Sequence, residues 1–306
     1  MKKTLSIGTR ASQLAIAQAK WVMDRILARY PDLKINLVKI KTWGDRILDK
    51  PLSTIGGKGL FVKEIEEALI RKEIDLAVHS LKDVPAELPN NLCIGIIPAR
   101  EDPRDAFIST GNISIEDLSE GASVGTSSLR RSAQLLRFRP DLKILPLRGN
   151  IDTRIKKLKK PDLQAIIVAA AGLNRLGLED IITHCFSVDI MLPALGQGAL
   201  GLELREDDIE TRDLLAFLDH YTTRMELEAE RSLLLELQGG CQIPIGGLAR
   251  LKDGHIYLDG LVADLDGKTV FRDVIAGLPE NAKELGVTLA HRLLDAGASK
   301  ILQKYQ

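Results

Sequence analysis

The residue best placed for chemistry is Asp83, in the stretch Asp75-Leu-Ala-Val-His-Ser-Leu-Lys-Asp-Val-Pro85. Leu76 to Val78 reads as a buried strand that stops in a polar turn closed by Pro85. Open α/β sheets hold their ligands at such strand ends, where Lys82 and Asp83 are delivered together. An isolated Lys-Asp-Val-Pro is most often a capped turn. The rest of the chain shifts that balance, because Arg10, Arg130, Arg131, Arg148, Arg154 and Arg175 recur at the carboxyl side of expected strands. A guanidinium fork donates two parallel hydrogen bonds to a carboxylate and keeps its charge at any working pH. The pattern points to Asp83 as a lone catalytic acid and to a shared cationic cleft that holds a multiply carboxylated substrate.

Cys241 is the second candidate. Gly239 and Gly240 precede it and Pro244, Gly246 and Gly247 follow, so a bulky group can approach its backbone. A nucleophilic thiol calls for an activating histidine, and the nearest in sequence are His220 and His255. A buried structural thiol is one reading. A covalent attachment point, which reacts once with a strong electrophile, fits the glycine loop better. Residues 42–59 lose periodicity at Gly44, Pro51, Gly56, Gly57 and Gly59. Loops of this length inside α/β domains are commonly functional. Lys58 in that loop is either a solvated lysine or an anion contact; the P-loop spacing is absent.

The elements that must position these groups read as strand, turn and helix. Leu5–Ile7 is an expected strand and Gly8-Thr9-Arg10 a turn. Ser12 is an N-cap, and a helix runs from Gln13 to about Ala28 with Leu14, Ala17, Trp21 and Ile26 inward. Lys34–Ile40 and 91–98 read as further strands, the latter with Cys93 in the core. Ser6-Ile-Gly-Thr-Arg-Ala-Ser12 is echoed by Ser123-Val-Gly-Thr-Ser-Ser-Leu-Arg-Arg131, which suggests two similar lobes, each with an anion-friendly helix start. Hinges are expected at 99–104 and 191–198. Ala199–Leu204 is a strand that could return to the first sheet, and an α+β domain closes the chain.

Composition excludes several classes. Lys+Arg 42 balances Asp+Glu 42 and aromatics are 4%, so a nucleic-acid binder is disfavoured despite Lys156-Lys-Leu-Lys-Lys160. No apolar run approaches the length of a membrane span, and no signal-peptide core follows Met1. Three dispersed cysteines and five histidines give neither a disulfide framework nor a metal site, and they fit a reducing, cytoplasmic setting.

Seven blocks resemble the porphobilinogen deaminase (hydroxymethylbilane synthase) family over essentially the whole chain. They are His79-Ser-Leu-Lys-Asp-Val-Pro85, Arg100-Glu-Asp-Pro-Arg-Asp-Ala-Phe107, Val124-Gly-Thr-Ser-Ser-Leu-Arg-Arg131 and Leu147-Arg-Gly-Asn150, then Ala171-Gly-Leu-Asn-Arg-Leu-Gly177, Leu195-Gly-Gln-Gly198 and Gly239-Gly-Cys-Gln-Ile-Pro-Ile-Gly246. The resemblance implies an α/β fold, with two lobes resembling type II periplasmic binding proteins plus a C-terminal α+β domain. The domains would be 1–98 with 199–217, 104–192 and 221–306. It implies a transferase that condenses porphobilinogen on a dipyrromethane cofactor attached to Cys241. Asp83 would be the catalytic residue. Arg10, Ser12, Lys82, Thr126, Ser128, Arg130, Arg131, Arg148, Arg154 and Arg175 would bind carboxylates, and Lys58 and Phe61 would belong to a lid. No metal, nucleic acid or membrane is implied, and a cytoplasmic monomer is expected. The rival reading is a two-lobed carboxylate-binding protein without catalysis.

Overall fold

The computed structural model describes residues 2–43, 62–237 and 243–304. The chain divides into two compact units, Met1–Glu101 with Ala199–Arg224, and Asp102–Gly198 with Met225–Gln306.

The first unit is built on a five-stranded sheet. Its early elements are β1 (Thr4–Arg10), α1 (Gln13–Arg29), β2 (Lys34–Ile40), α2 (Lys63–Ile70), β3 (Leu76–Ser80) and β4 (Leu92–Ile96). β10 (Leu200–Arg205) returns to this sheet, giving the order β2-β1-β3-β10-β4. β1 is parallel to β2 and β3, whereas β10 is antiparallel to β3 and β4. The expected turn at Gly8-Thr9-Arg10 is instead strand, paired with Val38, Lys39 and Ile40. Gly8 is needed for close packing: a Cβ there would lie 2.3 Å from Ile74 Cδ1.

α1 buries Ala15, Gln18, Ala19, Val22 and Ile26, so its inner face is turned from the expected one. Small alanines let the helix lie close to the sheet, while Trp21 is 36% exposed with the Arg25 guanidinium 5.3 Å from its ring centre. Cys93 is half-buried rather than in the core, with Arg212 Nη2 3.3 Å from its sulfur.

The second unit begins with β5 (Asp105–Ser109), β6 (Ser123–Gly125), α3 (Leu129–Phe138), β7 (Lys143–Leu145) and α4 (Ile151–Lys157). β8 (Ala165–Ala169), α5 (Ala170–Asn174) and β9 (His184–Cys185) follow. The sheet order is β7-β6-β8-β5-β9. β6 is parallel to β7 and β8, and β5 is antiparallel to β8 and β9. Order and sense repeat those of the first sheet. β5, which begins directly after the expected hinge at 99–104, is a wholly buried strand.

After α6 (Ile209–Leu215) and α7 (Tyr221–Glu236) comes an antiparallel meander of β11 (Ile245–Lys252), β12 (His255–Ala263) and β13 (Val270–Gly277). α8 (Ala282–Leu293) and α9 (Ser299–Leu302) complete the second unit. Leu233, Leu237, Leu258, Leu289 and Leu293 form its C-terminal core. α8 lies against α7 so closely that a Cβ on Gly286 would meet the carbonyl oxygen of Ala229 at 2.4 Å. Backbone cannot swing aside as a side chain can. Gly286→Ala is therefore expected to lose about 1–3 kcal/mol of stability, outweighing the roughly 1 kcal/mol that alanine gains within a helix. The check is the urea midpoint; an unchanged midpoint contradicts the close approach.

Candidate functional site

β3 ends at Ser80, and Leu81–Asp83 make one 3-10 turn. Leu81 and Val84 are buried at 2% and 3% exposure, and the Leu81 amide donates to the Ala199 carbonyl at 3.0 Å. The turn is thus pinned from below on both sides, and Asp83 projects outward, exposed. Arg10 closes β1, the parallel neighbour of β3, in a register that pairs Gly8 with Ala77. Ser12 caps α1 by accepting from the Ala15 amide at 3.3 Å. Gln18 Nε2 donates to Ser80 Oγ at 2.8 Å and ties α1 to the end of β3. Arg10, Ser12, Lys82 and Asp83 therefore share the carboxyl edge of two adjacent parallel strands.

The second unit repeats this placement. Thr126 and Ser128 follow β6, Arg148 follows β7, and Arg175 follows β8 and α5. Ser128 caps α3 through the Arg131 amide at 3.5 Å. Thr126 is buried at 3% exposure, and its Oγ1 accepts from the Ser128 amide at 3.2 Å, so its oxygen shapes the turn. The segment bearing Arg148 is braced from behind. Arg154 Nε donates to the Gly149 carbonyl at 2.8 Å and Lys157 Nζ to the Arg148 carbonyl at 3.1 Å. Gly149 has φ +106°, the region glycine tolerates. Arg175 Nη2 donates to the Gly198 carbonyl at 2.7 Å.

Arg130 and Arg131 also make contacts inside the second unit. Both are 5% exposed, and both face Asp105, the first residue of β5. Arg130 Nη1 lies 2.7 Å from Asp105 Oδ2 and 2.7 Å from the Leu192 carbonyl. Arg131 directs Nε to Asp105 Oδ1 at 2.9 Å, Nη2 to the same oxygen at 2.7 Å, and Nη1 to the Ile167 carbonyl at 3.2 Å. With Nε, Nη1 and Nη2 each making one contact inside the unit, Arg131 ties the first turn of α3 to β5 and β8. Gln197 Nε2 adds a bond to Asp105 Oδ1 at 3.0 Å. Burial alone would raise the Asp105 carboxyl, but the charges of Arg130 and Arg131 outweigh it and hold the group well below the usual carboxylate range.

Sequence reasoning missed Asp105 and Lys157. An acid opening an apolar run after a polar, proline-bearing segment was the available sign for Asp105. Lys157 was hidden in a run of lysines. Lys58, Phe61 and Cys241 lie outside the described residues. Among the described residues no cluster of three or more His, Cys, Asp or Glu is placed to hold a metal, and no helix is long and apolar enough to cross a membrane.

The family model described as "Porphobilinogen deaminase, dipyromethane cofactor binding domain" matches residues 5–213, and "Porphobilinogen deaminase, C-terminal domain" matches 225–295. The chain belongs to the porphobilinogen deaminase family. Among its relatives, the Trichlorobacter lovleyi porphobilinogen deaminase is 54% identical over 98% of this chain and 96% of its own. The family member from Geobacter metallireducens is 52% identical, covering 98% and 94%. That from Desulforudis audaxviator is 50% identical, covering 99% and 98%. Among solved structures, a YaeC-family lipoprotein from Enterococcus faecalis is similar over 71% of this chain and 91% of its own. It has 17% identity and a TM-score of 0.41, a likeness too loose to bear on the fold.

Removing the charge of Asp105 leaves two buried guanidinium groups facing each other. Asp105→Asn is expected to cost about 3–5 kcal/mol at pH 7. A lowered folded-state pKa gives stability that is present above the ordinary carboxylate range and lost as pH falls through the folded value. The deficit of the variant should therefore shrink in acid. Urea unfolding at pH 7 and pH 3 measures it, and an equal deficit at both contradicts the ion-pair account.

Proposed function

We propose that this protein deaminates porphobilinogen and joins four units head to tail into the linear tetrapyrrole hydroxymethylbilane, releasing ammonia. What carries the reading is the family match, which runs through every strand end where the charged residues gather. The relatives above are all named for the deaminase, so the binding-only reading is set aside.

Porphobilinogen is a pyrrole with acetate and propionate arms and an aminomethyl group. As the carbon–nitrogen bond breaks, the electron pair leaves with ammonia and positive charge spreads into the ring. The Asp83 carboxylate accepts the pyrrole N–H hydrogen bond and stabilises that charge. It also takes up the proton released when the new carbon–carbon bond forms. In the first unit Arg10, Ser12 and Lys82 pair with carboxylate arms. In the second, Thr126, Ser128, Arg148, Arg154 and Arg175 do so, with Arg148 held by the brace from Lys157. Arg130 keeps its internal bonds on Nη1 and turns the rest of its guanidinium to a carboxylate, whereas Arg131 holds the base of α3.

A dipyrromethane cofactor, itself carrying carboxylates, suits this donor set of arginines and hydroxyls. When bound it supplies the pyrrole carbon to which the first substrate is joined, and Cys241 is its tether. Lys58 and Phe61 form a lid in this reading. The chain is read as three domains, 1–98 with 199–217, 104–192 and 221–306, supported by three separate sheets. It acts as a cytoplasmic monomer without nucleic-acid or membrane partners.

Intact-mass measurement tests the tether. Cys241→Ser is expected to fold and show the bare chain mass, and an adduct that persists moves the attachment elsewhere. Asp83→Ala should keep its fold and lose roughly 10²-fold or more in tetrapyrrole formation; near-normal turnover removes the acid's role. Arg148→Leu should impair substrate loading or elongation, read as raised KM or truncated products.

A further inference from the structure

Beneath the strand that delivers Asp83 lies a group of titratable side chains that the reaction above does not use. Leu76 and Val78 of β3 join the core beside α1, while Ala77 joins the one beneath α2. His79, in step with Ala77, shares the α2 face. Its Nε2 lies 2.9 Å from Oε2 of Glu203, and both residues are buried, at 5% and 0% exposure. Glu203 sits in β10 opposite Ala77. The other oxygen of Glu203, Oε1, is buried with no hydrogen-bond partner among the described residues. A bare buried carboxylate oxygen is costly, and one O–H donor or one ordered water would satisfy it.

α2 brings the third member. Glu66 is 8% exposed, and its carboxyl is pushed up to about 7, first by burial and then by the negative charge of Glu203. His79 opposes that shift and Glu67 adds to it. On the neighbouring β4, burial pushes the Cys93 thiol up, and Arg212 of α6 faces its sulfur. Glu66 also lines a groove of about 440 Å³ whose opposite wall includes Pro85, Leu88 and Pro89. Pro85 is two residues beyond Asp83, so the helix face and the end of the catalytic turn border one space.

We propose that Glu66, His79 and Glu203 share one proton across the contact of α2 with β3 and β10, and that this network is a positioning device for the Lys82–Asp83 turn. Protonated Glu66 donates to Glu203 Oε1, directly or across one buried water, while Glu203 Oε2 keeps its contact with His79 Nε2. When Glu66 loses its proton through the groove, two carboxylates face each other across the contact. α2 is then repelled from the strand end and the turn loosens. The role rests on the assignment of Asp83 made above.

The test compares the cofactor-loaded Glu66→Gln protein with the wild type from pH 5.5 to pH 8.5. A raised folded-state pKa gives stability that is full below the ordinary carboxylate range and is lost as pH rises through about 7. Glutamine cannot lose it, so the melting-temperature difference, variant minus wild type, should grow more positive with pH. A difference independent of pH overturns the shared proton. The kcat ratio of variant to wild type at saturating porphobilinogen should rise about threefold between pH 6 and pH 8.5, with KM unchanged. Parallel kcat profiles overturn the positioning role even where the melting difference moves, which is what a merely structural cluster would give. Should Glu66→Gln not fold, Glu66→Asp should displace both profiles along the pH axis, and undisplaced profiles are equally fatal. Asp83→Asn, assayed alongside, separates the two claims. Turnover retained there sinks the assignment of Asp83, whereas the melting readout of the proton network requires no catalysis.

Discussion

At the start of β5 a carboxylate with 0% exposure meets two guanidinium groups and the amide of Gln197, at distances of 2.7 to 3.0 Å. Four pieces of chain converge on that one acid: the opening strand, the first turn of α3, the segment around Leu192, and Gln197. Charges buried this deeply are tolerated only when they are paired and hydrogen-bonded, and here the Leu192 and Ile167 carbonyls take the guanidinium N–H groups that the single acid leaves over. Its practical effect is on the edge above. With α3 bolted down through Arg130 and Arg131, Ser128 is fixed as its cap, and the backbone amides of the first turn point outward at the strand end.

The same plan is used twice. Each five-stranded sheet opens with three mutually parallel strands, has an antiparallel strand in fourth place and ends on a fifth that runs with the first three. In each, a serine caps the helix that follows the central parallel strand. Parallel strands place all their carboxyl ends on one edge, so residues far apart in sequence become neighbours without long loops. What differs is the cargo. The first sheet delivers an exposed acid beside Arg10 and Lys82, and the second delivers a succession of arginines.

Local signals carried most of what could be read in advance. The cap at Ser12, the helix start within 123–131, the strand that stops before Asp83, and the return of 199–204 to the first sheet rest on spacing and turn chemistry that act over a few residues. What was missed shares a cause. That Arg131 meets Asp105 depends on a strand that begins 26 residues earlier, and nothing local shows it. The inner face of α1 was expected to carry Leu14, Ala17 and Trp21 with Ile26, whereas close packing on the sheet selected Ala15 and Ala19 with Ile26. Glu203 was legible in principle: an acid inside Leu200-Gly-Leu-Glu-Leu204, a strand otherwise apolar, has to find a partner. His79 was quoted only as part of a motif, because the residue that gives it purpose lies 124 positions away.

β10 fills the gap between β3 and β4, and among the described residues β4 pairs with no other strand. A chain emerging from the ribosome therefore carries β4 unpartnered until residue 205 has been made, by which time all five strands of the second sheet are already out. The middle of the polypeptide is free to order first, and the amino-terminal sheet closes after it, around a strand that arrives late. A nascent chain halted just short of that point would present an open strand edge to its surroundings, a lure for chaperones and for aggregation.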